Sequence, residues 1–328
     1  MKILYVTPNP TDPLAFYRGT LPLAEMRKDY PEFEYTIAAN VNWANLTAHD
    51  LVFMQRPYTS EHGRIVDMCK KWRKPLVLDF DDWLYELSPD NPAVHVYSDK
   101  THYHKAAEMA DAIMVTTTDM QEYYEADHGI KTHVVPNAFN DRLLDFRPVE
   151  DHSKIVLWRG SNSHTQDLLS VRQGYLKLIK EHTDWQFVFI NMPPWWLGDN
   201  FENVKTVAPR DALDYMRMLN NIKPAIMAHP LSDCRFNRAK SMCSWLEASG
   251  CGSAFVGPDF PEYSREGIIN YTPGDSKSFY NEINQLITDP IDIIESAKTS
   301  QDIIKKHLLL KDVNKLRYDI FLDCINNH

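Results

Sequence analysis

Paired cysteines are missing from this 328-residue chain. Cys69, Cys234, Cys243, Cys251 and Cys324 form an odd set with no CxxC spacing. Neither a disulfide framework nor a zinc ribbon is supported, and a reducing, cytoplasmic setting is the expectation. Long apolar runs are missing too. No window approaches the roughly 20 residues of a membrane span, and MKILYVTPNP meets a proline turn too early to hold the apolar core of a signal peptide. No basic amphipathic helix opens the chain to dock it on a membrane, and no internal repeat or low-complexity segment occurs. Positive charge is in deficit. A formal net charge of −10 argues against a surface that grips nucleic acid all over, while leaving room for a local basic patch. With 44% hydrophobic and 24% charged residues the chain is globular, and long enough for two domains with a core each.

Short apolar runs alternate with helical patterns. Residues 2–8, 35–39, 50–55, 75–80, 112–118 and 132–137 read as strands, with helices over 61–72, 100–110 and 119–128. After a polar connection at 146–153 the pattern restarts. Strands are predicted at 154–160, 185–190, within 224–230 and at 253–257, helices at 165–180, 210–220 and around Glu247, and consecutive helices over 275–328. This alternation predicts parallel sheets covered on both faces. Open α/β sheets bind ligands at the carboxyl ends of their strands, so two such domains facing one another create a cleft.

The residues able to carry chemistry follow strands. In CRFNRAKSMCSWLEASGCG (234–252), Arg235, Asn237, Lys240 and Ser241 stand at the expected mouth of a helix, with Glu247 about two turns later. Unpaired N–H groups, the positive end of the helix dipole and a lysine make an anion site; an ordinary amphipathic helix with a basic start is the plainer reading. LWRGSNSHTQDLL puts Arg159, Gly160, Ser161 and His164 in a strand-to-helix loop, the place of a phosphate-binding turn, where His164 is either a ligand contact or a helix cap. DFDDW (79–83) offers Asp79, Asp81 and Asp82. These carboxylates would hold a divalent metal, orient or deprotonate a hydroxyl, or cap a helix. Tyr17 and Arg18 in the first loop and Arg56 in QRPY sit at the cleft edge by strand order. CKKWRKP (69–75) reads as a solvated helix end or a nucleic-acid contact. Trp195 or Trp196 in NMPPWWLGDN either stacks on a ligand or packs its own loop.

The order strand, loop, phosphate-binding helix resembles the donor site of GT-B glycosyltransferases, particularly the retaining family four. The Gly-Ser-x-x-His pattern at 160–164 resembles glycosyltransferases of large tailed phages, and HVVPNAFN (133–140) resembles the turn that closes the family's first domain. The resemblance implies an α/β GT-B fold: two Rossmann-like domains facing a cleft, with C-terminal helices crossing back to the first. It implies an acceptor domain over 1–148, a nucleotide-sugar domain over 149–300 and a returning helix over 301–328. Arg159, Gly160, Ser161, His164, Arg235, Asn237, Lys240, Ser241 and Glu247 would bind the donor, expected to be a UDP-sugar, with no tightly bound cofactor and no metal. Asp81 and Asp82 would be catalytic, and Tyr17, Arg18 and Arg56 would face the acceptor. The family's first glutamate is absent, because Ala239 stands eight residues before Glu247. The expected activity is sugar transfer to a hydroxyl, with a hydroxymethylated or already glycosylated base of phage DNA as acceptor. A surface polysaccharide acceptor, a nucleotide-sugar epimerase and a silent sugar-nucleotide binder are the alternatives.

Overall fold

The computed structural model describes residues 1–87, 91–191, 193–198 and 201–328. Two parallel six-stranded sheets account for the strands. The first contains β1 (Lys2–Val6), β2 (Glu34–Ala38), β3 (Leu51–Gln55), β4 (Leu76–Phe80), β5 (Ala112–Val115) and β6 (His133–Val134), in the spatial order β2-β1-β3-β4-β5-β6. The second contains β7 (Ser153–Arg159), β8 (Gln186–Ile190), β9 (Val204–Val207), β10 (Pro224–Ala228), β11 (Ala254–Pro258) and β12 (Ile268–Tyr271), in the order β12-β11-β10-β7-β8-β9. Every residue of β3, β4, β10 and β11 is buried, as strands covered on both faces require.

Each sheet has one place where the chain leaves in one direction and returns in the other: between β1 and β3 in the first, between β7 and β10 in the second. Crevices for ligands open at such points, beyond the carboxyl ends of the strands. Local sequence sets the helix starts that follow. Thr59 caps Ser60–Lys71, Thr117 caps Thr118–His128 and Asp211 caps Ala212–Ile222, each accepting from an N–H of the first turn.

The chain crosses between the domains twice, and the crossings are tied together. Phe139 N–H donates to Leu308 O at 2.9 Å and Leu310 N–H to Phe139 O at 2.8 Å. Gly250 lies under the Phe139 ring, where a Cβ would sit 2.4 Å from a ring carbon; only glycine permits that approach. The helix Ile291–His307 packs on β11 and β12, and the helix Leu310–Asn326 packs on β3 and β4, with Val313 and Phe321 entering the first domain's core. Phe236 and Ala239 of the second domain are buried against Trp83 and Leu84 of the first, so apolar contact holds the cleft walls together.

Three local readings need correction. The edge strands β9 and β12 were not anticipated. The helix expected over 165–180 is two, Thr165–Ser170 and Arg172–Glu181; the Ser170 hydroxyl donates back to Asp167 O at 2.6 Å, a bond that bends helices. The helix expected to open near Asn237 is also two, Arg235–Arg238 and Cys243–Gly250. The break falls where Ala239 O accepts from the Thr117 hydroxyl of the first domain, at 3.1 Å.

Candidate active site

Glu247 lies in the second turn of Cys243–Gly250 and is almost fully buried. Its carboxylate has three donors. Arg159 Nε at the end of β7 donates to Oε2 at 2.9 Å, the Tyr215 hydroxyl donates to the same oxygen at 2.8 Å, and the Tyr17 hydroxyl of the first domain donates to Oε1 at 2.9 Å. Burial and the Glu247 charge push both tyrosines well above the ordinary phenol range, which keeps them protonated donors. Burial works against the Arg159 charge, but Glu247 prevails and raises its pKa. Tyr17 lies in Phe16–Thr20, a π-helical turn of a kind often found at functional sites.

The helix end facing this cluster is at Met242 and Cys243 rather than at Asn237. Met242 has no side-chain cap, and Ser241 and Cys243 line the cleft. Trp245 N–H already donates to Met242 O at 3.0 Å, so the N–H groups at the mouth of the helix without helical carbonyls are those of Cys243 and Ser244. Asn137, read in the sequence as part of a structural turn, donates to Ser241 Oγ at 2.8 Å and to Cys243 Sγ at 2.9 Å. Lys240, in the break, lies 3.6 Å from Asp82 Oδ1. Asn237 and Arg235 are elsewhere. Asn237 is buried and donates to Asp167 Oδ1 at 2.8 Å and Ser232 O at 2.9 Å, so its amide is spent on the scaffold. Arg235 pairs with Glu86 at 2.7 Å and Asp127 at 2.6 Å and stacks 4.1 Å over the Tyr123 ring. It fastens the domains together outside the cluster around Glu247.

On the first domain, two arginine expectations resolve differently. Arg18 is fully buried and bonds Asp79 through Nε at 3.0 Å and Nη2 at 2.6 Å, with Val135 O at 2.7 Å as a further acceptor. Its charge is therefore committed within the protein, which corrects the expectation of an acceptor contact and removes Asp79 from any metal set. Arg56 leaves β3 in the left-handed region, at φ 39°, a strained backbone for an arginine. It holds Asp81 in a two-point contact and reaches Asp82 Oδ2 at 2.8 Å. Burial, opposed by Arg56 and reinforced by the Asp82 charge, pushes Asp81 up. Asp82 goes the other way: burial acts against its charge, yet Lys240 and Arg56 hold it below the ordinary carboxylate range. Among the described residues no group of three or more His, Cys, Asp or Glu side chains is placed to hold a metal ion.

His164 faces the cleft from the phosphate-loop position. Its Nδ1 lies 2.9 Å from Asp167 Oδ2, and Asp167 Oδ1 accepts from Ser232 N–H at 2.8 Å and Ser232 Oγ at 2.7 Å. Burial opposes the Asp167 charge, but the bonds from His164 and Ser232 hold its pKa down. His229, just past β10, has its ring 5.6 Å from that of His164. Burial, the neighbouring His164 and the cations Arg159 and Lys240 push it well below the ordinary imidazole range.

The cleft holds a cavity of about 350 Å³ lined by Tyr17, Arg18, Asp81, Asp82, Arg159, Gly160, Ser161, His164, Ser241 and Glu247 together with Tyr215. A second cavity of about 350 Å³, lined by Arg56, Tyr97 and Lys240, shares Asp82 and Ser161 with it. Sequence reasoning missed Tyr215, Asp167 and His229. His229 stands in PAIMAHP just beyond a strand end, the one signal that was open to notice. The basic run lies elsewhere: Lys70 and Lys71 end the helix Ser60–Lys71, and Lys74 stands two residues before β4, so the run sits at the amino ends of the strands, opposite the cleft. Trp195 is exposed, and Arg172 lies 5.9 Å over the Trp196 ring; Met192, Asp199 and Asn200 of that loop lie outside the described residues. Among the described residues no helix is long and apolar enough to cross a membrane.

No family model and no curated protein matches the chain by sequence. The fold, two Rossmann-like sheets across a cleft with a returning C-terminal helix, is that of GT-B glycosyltransferases. The chain is similar in structure to sucrose-phosphate synthase from Thermosynechococcus elongatus, with a TM-score of 0.71 and 10% identity over 100% of both chains. It is similar to Anabaena Alr3699/HepE in complex with UDP-glucose, with a TM-score of 0.71 and 16% identity over 98% of this chain and 100% of that one. It is also similar to an alpha-glucosyltransferase in complex with UDP-glucose and DNA containing an abasic site, with a TM-score of 0.67 and 11% identity over 97% and 98%.

Proposed function

We propose that this chain is a glycosyltransferase that moves a sugar, with retention and without a metal, from a UDP-sugar to the hydroxyl of a hydroxymethylated or already glycosylated base in phage DNA. The observation that carries the donor half is the convergence of Arg159, His164 and the uncapped helix start at Cys243 on one cavity beside a buried Glu247, with Lys240 reaching Asp82 from the adjoining cavity. Such a set neutralises a departing diphosphate by fixed positive charge and N–H dipoles, which is electrostatic stabilisation of the charge that develops in the transition state. Gly160 and Ser161 supply backbone at the phosphate, and Glu247 positions the ribose. The loss of its bonds to Tyr17, Tyr215 and Arg159 on donor entry is part of the binding balance.

On the acceptor side Asp82 is the carboxylate better kept ionised to accept a hydrogen bond from a hydroxyl, because Lys240 and Arg56 hold its pKa down, which also weakens it as a base. Asp81 is raised and bound at two points by Arg56. Asp82 would accept the acceptor's hydroxyl proton or orient that hydroxyl, and Tyr17 would border the acceptor. Support for a DNA base comes from the structurally similar alpha-glucosyltransferase crystallised with UDP-glucose and DNA, and from another such complex with UDP and DNA containing an HMU base. The reading is tested by incubating the protein with UDP-sugars and a panel of hydroxymethylated DNA, glucosylated DNA and oligosaccharides, with and without a chelator, read by mass spectrometry. One sugar is expected per modified base, in chelator as well. Extension of oligosaccharides with DNA unaltered would move the acceptor to a polysaccharide, and conversion of the donor sugar with no acceptor would make the protein an epimerase.

A further inference from the structure

The pair formed by His164 and Asp167 has a geometry that a mere helix cap does not need. Asp167 is buried and immobilised: Oδ1 takes three donors, Ser232 N–H, Ser232 Oγ and Asn237 Nδ2, at 2.7–2.8 Å. That leaves Oδ2 for Nδ1 of His164. A carboxylate on Nδ1 fixes the ring and its tautomer and stabilises the imidazolium when Nε2 takes a proton. Nδ1 is occupied, so the chemistry available to His164 is at Nε2. The ring edge carrying that atom faces the phosphate-binding turn, because a Cβ built on Gly160 would lie 3.1 Å from His164 Cδ2. A glycine at that position makes room first for the Trp158 ring, which a Cβ would meet at 2.5 Å, and then for the imidazole.

The charges around the ring come from every wall of the cleft: Asp167 on its own helix, Arg159 at the end of β7, His229 beyond β10, Lys240 in the break between helices, and Asp82 from the first domain. Burial, together with Lys240 and Arg159, outweighs Asp167 and holds the imidazole below its ordinary range, which favours the neutral ring in the unliganded protein. A bound diphosphate reverses that balance by placing two negative charges among the same cations.

We propose that His164, oriented by Asp167, takes up one proton at Nε2 when a diphosphate enters the cleft and donates it in a hydrogen bond to a phosphate oxygen. The inference rests on the donor reading given above and adds the role of the pair. The proton comes from solvent. The one bond formed on the protein is Nε2–H, no other bond of the protein changes, and the imidazolium offsets the charge that builds on the phosphate as the glycosidic carbon departs. His164 is thereby a group that touches the donor, and Asp167 is a positioning residue acting through it.

The experiment is calorimetric titration of the full chain with UDP at pH 7.5 in buffers of different ionisation enthalpy, which counts the protons exchanged, for the wild type and His164→Gln. UDP contributes the same proton change of its own to both. The wild type is expected to take up about half a proton to one proton more than His164→Gln, and the variant to bind about tenfold more weakly through loss of one charge-assisted hydrogen bond. Asp167→Asn is expected to reduce the uptake while the histidine remains. Equal proton counts in wild type and His164→Gln overturn the proposal. Histidine 15N spectra of the wild type with saturating UDP decide the matter even if a variant does not fold: both His164 nitrogens protonated is the expected result, and an unprotonated Nε2 in the complex refutes it. Absence of UDP binding by the wild type would overturn the donor reading itself, a different failure from UDP binding without proton uptake.

Discussion

Asp82→Asn should tighten UDP binding. In the unliganded protein the lysine expected to meet the diphosphate is already 3.6 Å from Asp82, so donor and carboxylate compete for one ammonium. At that separation and an effective dielectric of about 20, two unit charges interact by about 5 kcal/mol. That figure is a ceiling. Asp82 also accepts from Arg56 at 2.8 Å, the side chains are 14% and 23% exposed, and pairs with some solvent access measure nearer about 1 kcal/mol. Asp82→Asn is therefore expected to improve the Kd for UDP about fivefold while removing transfer activity. Lys240→Met should weaken UDP by about 1.5–3 kcal/mol, the worth of a charge-assisted contact. In the double variant the Asp82 substitution should give no further gain, because its competitor is gone. The assay is calorimetry on the four proteins at one ionic strength. Weaker UDP binding by Asp82→Asn, or the same gain with and without Lys240, would refute the competition.

Three further outcomes follow from the same geometry. Arg18→Met or Asp79→Asn alone leaves a buried charge unpaired and should cost about 3–5 kcal/mol in urea unfolding, whereas Arg18→Met with Asp79→Leu should recover most of that loss; strictly additive losses would contradict the pairing. Burial pushes Glu262 up to about 7, above its unfolded range, so the folded state binds the extra proton and stability should fall by on the order of 3 kcal/mol as pH rises from about 4.5 to about 7. Glu262→Gln should flatten that slope, and an unchanged pH profile of melting would count against it. Neutralising Lys70, Lys71 and Arg73 together should leave both UDP binding and transfer unchanged, since the run stands at the amino ends of the strands; a large loss in either would place it in the working surface after all.

The pattern of short apolar strands was plain in the sequence because parallel strands buried on both faces are continuous apolar runs, as in LVFMQ and PAIMA. The edge strand VKTV is half exposed and carries no such signal. Residues at or just past strand ends, such as Arg159, Gly160 and Asp82, were placed by topology, since sheets of this kind put their carboxyl ends on one side, and Glu247 by its spacing from the expected helix start. What topology does not tell is which charged groups satisfy each other. Arg18 and Arg56 were placed near the cleft edge, but their partners Asp79 and Asp81 lie 61 and 25 residues away and are visible only in three dimensions. Arg235 was misplaced for a local reason: the helix that it opens ends at Arg238, where Ala239 is bonded to Thr117 of the first domain, and Arg235 turns outward to Glu86 and Asp127. Tyr215 sits on an amphipathic helix whose pattern is satisfied by its apolar neighbours, so nothing in the spacing marks its hydroxyl for Glu247.

The central claim is that this cleft holds a nucleoside diphosphate by the charges on Arg159 and Lys240. Calorimetric titration of UDP into the wild type and into Arg159→Ala, with folding of both confirmed by melting, tests it most directly. The account predicts one UDP per chain for the wild type and an affinity lower by about 1.5–3 kcal/mol for the variant. Equal affinity in the two proteins, or no UDP bound by the wild type, would contradict it.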